Sequence, residues 1–194
     1  MEKTARIFAG IALPEAYQQA LAAIRDRLRP LAGGPMSWTK PGNWHLTLKF
    51  LGDVPVTGPA GLDAVKAALA GVVFSSFRLT GAGGGFFPNA KRPRVVWIGL
   101  AAGGPACGRL AAAVETALSP LGFPAEDRPF AAHLTLARIR EPGRAGDLAG
   151  MERVLSGIRL PETSVESITL WRSRLQPGGP RYEVLATVPA RPEK

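Results

Sequence analysis

Between Ile7 and Leu13 the chain is almost uninterruptedly apolar, the pattern of a strand covered on both faces, so residues 6–13 predict a first strand. Pro14 then opens a helix where its missing N–H is no loss, and Glu15 suits the positive end of the helix dipole. Tyr17, Leu21, Ile24, Leu28 and Leu31 recur at helical spacing until Gly33-Gly34-Pro35 breaks the pattern. A loop through Trp38, Pro41 and Gly42 is expected next. At His45 the period changes to two. In His45-Leu46-Thr47-Leu48 the leucines fall on one face of a strand, and the imidazole and hydroxyl on the other. Residues 52–59 read as turns, Leu62, Val65 and Leu69 mark a short helix, and residues 72–80 predict another strand.

Residues 81–93 (GAGGGFFPNAKRP) carry the clearest loop signal and the natural seam of the chain. Past that seam the order recurs. Residues 95–100 predict a strand, Leu110, Val114, Leu118 and Leu121 a helix, and His133-Leu134-Thr135-Leu136 a second alternating strand after Phe130. Leu148, Met151 and Leu155 repeat the spacing of Leu62, Val65 and Leu69. Residues 164–175 and 182–188 then predict a hairpin about Pro177-Gly178-Gly179-Pro180. Each half therefore reads strand–helix–strand–helix–strand, with repeats over about residues 6–80 and 94–171 and a final extra strand at 181–188. Two similar lobes related by a pseudo-two-fold axis would set the two alternating strands facing each other across a cleft.

The chain contains two histidines, and each opens a His-Leu-Thr-Leu. Two ordinary amphipathic strands with half-buried histidines are the alternative, but packing alone gives no reason for both to carry the same three followers. Two imidazoles flanking one centre can divide a displacement between them. One takes a proton from the nucleophile while the other gives a proton to the leaving group. At phosphorus the attacking and leaving oxygens lie roughly in line, which a two-fold pair of histidines suits. The hydroxyls of Thr47 and Thr135 can donate to non-bridging phosphate oxygens. The reference imidazole pKa of about 6.5 sets the expected optimum near neutrality. No metal or cofactor is required by this scheme. A catalytic zinc takes about three protein ligands, and no carboxylate or cysteine lies at a ligand-like spacing from either histidine. Neither Gly-x-Ser-x-Gly nor Gly-x-x-x-x-Gly-Lys occurs.

Composition narrows the partners. The chain is 194 residues long, enough for a substantial core in one large domain or two small lobes. With 24 Lys and Arg against 15 Asp and Glu, the net charge of +9 suggests an anionic partner such as nucleic acid or phosphate. The single Cys107 excludes an intrachain disulfide and reads as small packing near a helix start. The apolar run after Lys3 and Arg6 is short and lacks a small-residue cleavage site, and no stretch is long enough to span a bilayer. A cytoplasmic monomer with no membrane partner is expected.

Paired His-x-Thr motifs resemble the signature of the two-histidine phosphoesterases. The longer strings RIFAGIALP, HLTLKFLGDV, PRVVWIGL, HLTLAR and ITLWRSRLQPGGPRYEVLA resemble one branch, the bacterial and archaeal RNA 2′,3′-cyclic phosphodiesterases, long called 2′-5′ RNA ligases. The likeness runs from Arg6 to about Val188. It implies an α+β fold, a single bilobal unit over residues 1–194 with two pseudo-symmetric lobes of mainly antiparallel sheet plus helices around a central cleft. It also implies hydrolysis of RNA 2′,3′-cyclic phosphate ends to 2′-phosphates, with His45 as proton donor to O3′ and His133 as the base that activates water. Thr47 and Thr135 would hold the phosphate. Arg138 and Phe50, each five residues after its histidine, match a phosphate-binding arginine and a base-stacking aromatic. Five is an odd number, so an ideal strand would turn both away from the cleft, and a bend is needed to bring them back. Lys49 has the parity to face the cleft, or is simply a solvated strand lysine. Trp38 and Trp44 flank the first motif as core, as rim or as contacts to a nucleobase. A non-catalytic RNA-binding module, and a cyclic phosphodiesterase acting on a nucleotide metabolite, are the alternative functions.

Overall fold

The computed structural model describes residues 3–191. Its strands are β1 (Thr4–Ala12), β2 (Met36–Trp38), β3 (His45–Pro55), β4 (Phe77–Phe87), β5 (Val95–Ala102), β6 (Leu134–Ile139), β7 (Arg159–Val165), β8 (Ser167–Gln176) and β9 (Gly179–Pro189). The helices are α1 (Glu15–Leu28), α2 (Leu62–Ala70), α3 (Gly104–Leu118) and α4 (Leu148–Ser156). The fold is thus α+β. All nine strands form one curled antiparallel sheet in the order β7-β4-β5-β6-β3-β1-β8-β9, with the short β2 paired to β6.

The duplicated pattern is built into that order. β3 and β6, which follow from the two histidines, are the central neighbours and meet at a single registered pair, Leu46 with Leu134. On either side lies the first strand of each repeat, β1 beside β3 and β5 beside β6. The third strands cross over. β4 from the first half pairs with β5, and β8 from the second half pairs with β1. Neither half of the sequence completes a four-stranded lobe by itself.

The helices cover the leucine face. Leu46, Leu48, Leu134 and Leu136 are all buried and join one core with Leu21 and Leu28 of α1, Leu69 of α2, Leu110 and Val114 of α3, and Met151 and Leu155 of α4. Tyr17 on α1 ties the halves together, since its hydroxyl donates to the Pro161 carbonyl at 2.7 Å and accepts from the Gly81 amide at 3.1 Å. Burial pushes its phenol pKa up, which keeps the hydroxyl protonated as a donor. Cys107 is buried in α3, and the same desolvation pushes its thiol up to about 12, as suits small packing. No helix among the described residues is long and apolar enough to cross a membrane.

Several elements differ from the sequence pattern. The strand expected at 72–80 begins only at Phe77, and it runs straight through the glycines to Phe87, where the composition predicts a loop. These glycines are there for closeness: a Cβ on Gly84 would collide with the Trp97 carbonyl of the neighbouring strand, and one on Gly85 would lie 3.2 Å from the Trp97 indole. β3 continues to Pro55, through residues that read as turns, because β1 pairs with it along its whole length. Trp38 lies in β2 instead of a loop, drawn into pairing by Ala137. The strand expected at 164–175 divides into β7 and β8, which lie on opposite sides of the sheet.

The glycine strand is testable. A loop would accept Gly84→Ala at little cost, whereas in the sheet the new methyl must push β4 from β5. A loss of about 1–3 kcal/mol is expected, the usual cost of overpacking. Urea unfolding measures it, and an unchanged midpoint would contradict the strand pairing.

Candidate active site

Each histidine stands at the entrance to its strand, held by the same contact. His45 Nδ1 lies 2.7 Å from the Asn43 carbonyl, and His133 Nδ1 lies 2.7 Å from the Ala131 carbonyl. A carbonyl can only accept, so in both rings Nδ1 carries the hydrogen. Nε2 is then the free nitrogen in each neutral ring, which makes it the atom available for proton transfer. Carried one residue to either side of the Leu46–Leu134 pair, the antiparallel register sets His45 opposite Thr135 and Thr47 opposite His133. Both threonines are half-buried, and neither hydroxyl bonds another protein group among the described residues.

The parity problem is resolved by a matched irregularity. β1 pairs Gly10 with Thr47 and Ala9 with Lys49, passing over Leu48. β5 pairs Trp97 with Thr135 and Val96 with Ala137, passing over Leu136. Each histidine strand therefore has a bulge at its second leucine, where one extra residue resets the alternation. Leu48 and Lys49 both turn inward, as do Leu136 and Ala137, and the next residue comes out again. Phe50 is 53% exposed and lies 5.8 Å from the Phe8 ring. Arg138 is exposed as well, and its charge acts on both histidines.

The same bulge moves Lys49 off the cleft face, against its strand parity. It is 3% exposed, donates to the Pro124 carbonyl at 2.8 Å and lies 3.7 Å from a Glu115 oxygen on α3. From there it anchors the long segment that leads from α3 to His133. Trp44 is 2% exposed and belongs to the core, while Trp38 is half-buried on β2.

Other cleft residues escape the sequence pattern. Around His45 lie Phe8, Trp171 and Tyr182, with ring centroids 4.7, 5.5 and 5.3 Å away. Against His133 stands Phe87, edge-on at 5.1 Å and itself stacked on Trp97 at 4.8 Å. Arg6 and Arg138 both act on the Tyr182 hydroxyl, whose pKa is nevertheless raised, because burial outweighs them. Arg6 and Phe8 alternate along β1, but the apolar run of that strand conceals them. A cavity of about 340 Å³ opens beside His45, lined in part by Gln18, Thr169, Trp171, Tyr182 and Thr187.

Burial also sets the protonation state. Desolvation lowers the His45 pKa to about 4, with smaller contributions from the charges of His133 and Arg138 opposing the help of the Asn43 carbonyl. His133 is lowered too, by burial first, with a smaller contribution from Arg138. Both rings therefore favour the neutral form. Among the described residues no group of three or more His, Cys, Asp and Glu side chains gathers to hold a metal ion.

Two His-x-Thr strands side by side, at the centre of a sheet made from two repeats, define a phosphoesterase of the two-histidine class. The chain belongs to the LigT-like phosphoesterase family, whose profile matches residues 11–97 and 100–182. It is 36% identical over 172 residues to an RNA 2′,3′-cyclic phosphodiesterase of Aeropyrum pernix, covering 88% of this chain and 94% of that one. A Thermus thermophilus protein of the same name is 36% identical over 186 residues, covering 93% and 87%. In structure the chain is similar to a crystal structure from Thermus thermophilus with a TM-score of 0.76 and 30% identity, over 97% of this chain and 100% of that one. It is also similar to E. coli LigT complexed with 3′-AMP, with a TM-score of 0.73 and 27% identity, over 96% and 98%.

The lowered imidazoles have a consequence for stability. The unfolded chain, with histidines near the ordinary value of about 6.5, takes up protons before the folded protein does as pH falls. The contribution of His45 is therefore complete above that value and is lost as pH falls through the window down to about 4. Relative to wild type, His45→Asn should gain stability across this window in urea unfolding. Parallel curves for the two proteins would show that His45 is not buried as a neutral ring.

Proposed function

We propose that this protein hydrolyses 2′,3′-cyclic phosphate ends of RNA to 2′-phosphomonoesters, by acid–base catalysis divided between His45 and His133. The observation that carries the reading is the matched tautomer: two imidazoles, each with Nδ1 bonded to a backbone carbonyl at 2.7 Å and Nε2 free. The relatives named RNA 2′,3′-cyclic phosphodiesterase, alike over most of the chain, support the substrate.

In this scheme the phosphate sits between the two strands. His133 Nε2 takes a proton from water as its oxygen attacks phosphorus. His45 Nε2–H gives a proton to O3′ as the P–O3′ bond breaks, leaving the phosphate on O2′. Thr47 and Thr135 donate to the non-bridging oxygens, and Arg138 offsets the charge that develops on them. Phe50, outside the aromatic cluster of Phe8, Trp171 and Tyr182, offers a ring on which the terminal base stacks. With the 5′-hydroxyl of a second chain in place of water, the same attack on phosphorus with departure of O3′ joins ends through a 2′-5′ linkage. The protons are handled wholly by side chains, so the scheme routes no step through a metal.

His45 must be protonated to act, yet burial disfavours its cation. The substrate's own negative charge opposes both depressions, so binding helps to load the acid. Only the form with His45 protonated and His133 neutral is competent.

Three outcomes test this. His45→Ala and His133→Ala should each slow turnover of a cyclic phosphate by about a hundred- to ten-thousandfold, the usual worth of a positioned acid or base, with the fold retained. Near-normal turnover in either would remove that residue from the mechanism. The pH profile of kcat/KM, which reports the free enzyme, should be a bell centred below the ordinary imidazole value of about 6.5. That of kcat should lie at higher pH, because the bound anion raises both groups; its limbs belong to the pair and not to either ring alone. A kcat bell on the acid side of the kcat/KM bell would reverse the electrostatic argument. EDTA should leave the rate intact, and loss restored by zinc or manganese would replace the two-histidine scheme with a metal-dependent one.

A further inference from the structure

We infer that Gln18 is a positioning residue for His45: it clamps the turn whose carbonyl fixes the tautomer of that imidazole. The inference rests on the catalytic reading of His45, but the clamp itself is a statement about structure.

Gln18 is one of the few polar side chains in the core, 8% exposed on α1 between the buried Tyr17 and Leu21. An amide there must be satisfied, since burying one without partners costs about 1–3 kcal/mol. Its partners bracket a single residue. Gln18 Nε2 donates to the Trp44 carbonyl at 2.8 Å, and the Gly42 amide donates to Gln18 Oε1 at 3.0 Å. Between them lies Asn43, whose carbonyl takes the His45 Nδ1 hydrogen. A longer contact of 3.5 Å from Nε2 to the Leu13 carbonyl ties the same amide to the end of β1, next to the residue that pairs with His45.

The turn needs such a clamp. Gly42 takes a positive φ of 83°, so the chain reverses sharply before the histidine and has no strand partner there. Two further bonds reach this residue: its amide donates to the Lys40 carbonyl at 3.0 Å and closes the turn, and Asn43 Nδ2 donates to the Pro180 carbonyl at 2.8 Å. Neither touches the peptide that carries the Asn43 carbonyl, which Gln18 brackets from both sides. If the Asn43 peptide turned, its carbonyl would leave Nδ1, and the neutral ring would be free to carry its hydrogen on Nε2. The imidazolium that acts as the acid would also lose the acceptor for its Nδ1–H, and its Nε2–H would no longer be aimed at the substrate oxygen. His133 has the equivalent carbonyl at Ala131 but no counterpart of Gln18 among the described hydrogen bonds, which makes it an internal control.

The test uses the whole protein and compares wild type with Gln18→Met, of similar length without polar atoms, and Gln18→Glu, which keeps an acceptor for Gly42. With two histidines in the chain, two-bond 1H–15N correlation spectra above their pKa values assign both tautomers in one sample. Wild type should show the Nδ1–H form at both rings. In each variant His45 should shift toward a mixture while His133 keeps its pattern. The kcat should fall by about ten- to a hundredfold, as for a small misplacement of a reacting group, with KM within about threefold. In wild type, hydrogen exchange at the Gly42 amide should be slow for a turn position, a reading that holds even if a variant fails to fold. An unchanged His45 tautomer in a folded variant, equal disturbance of His45 and His133, or fast exchange at Gly42 would each overturn the clamp. If the spectra change as expected but kcat does not, the clamp stands and the catalytic role of His45 falls.

Discussion

An imidazole has two nitrogens, and proton transfer at a defined point requires that one of them be committed elsewhere. Here the commitment is a backbone carbonyl two residues before each histidine, and much of the surrounding structure serves to keep that carbonyl still. Gln18 brackets Asn43 from α1. On the other side Lys49, turned inward from the His45 strand, grips the Pro124 carbonyl in the segment that ends at Ala131 and His133. The anchors differ in chemistry. An amide that both donates and accepts holds a tight turn; an ammonium with Glu115 beside it holds a long segment. The pseudo-symmetry of the strands is therefore close, while that of their supports is not.

The second constraint is alternation. A strict strand puts residues one, three and five of a motif on one face, and a residue five positions after the histidine on the other. Both strands break the rule at the same place, the second leucine, and both thereby gain one more cleft position. The cost is two consecutive inward residues, which must suit the core. Ala137 does so by being small, and Lys49 by reaching past the core edge to polar partners. A bulge at one motif alone would have left the lobes unequal in what they present.

The bulges also explain how far the sequence can be read. His45, Thr47, His133 and Thr135 are legible, because the leucines between them fix a face and the duplication argues against chance. Phe50 and Arg138 come from likeness to a family; nothing in the local pattern predicts a bulge, since its cause lies in the registers that β1 and β5 impose. The parity of Lys49 misleads for the same reason. The glycine run of β4 reads as a loop because glycine marks both flexible connections and close strand contacts, and the sheet partner decides which. Phe8, Tyr182 and Trp171 are hidden more deeply. They meet at His45 from strands β1, β9 and β8; the hairpin of β8 and β9 reaches β1 only through the crossing of the third strands, a feature of topology that leaves no mark in a linear pattern.

The electrostatics follow from the same packing. Aromatic rings and buried backbone shield the histidines from water and push them toward neutrality, so the positive character of the cleft rests on Arg6 and Arg138. Guanidinium groups keep their charge across any working pH, and the excess of basic residues extends that field over the surface. In the proposed scheme, attraction of an anionic chain end is thereby separated from proton transfer. On the proposed reading the arginines draw the phosphate in whatever the state of the imidazoles, and the arriving charge then favours the imidazolium that the reaction needs. A cleft that relied on permanently charged histidines for attraction would hold both rings protonated and would lack a base. In the proposed scheme, burial of two neutral imidazoles beside fixed cations leaves one of them free to become the acid and the other to remain the base.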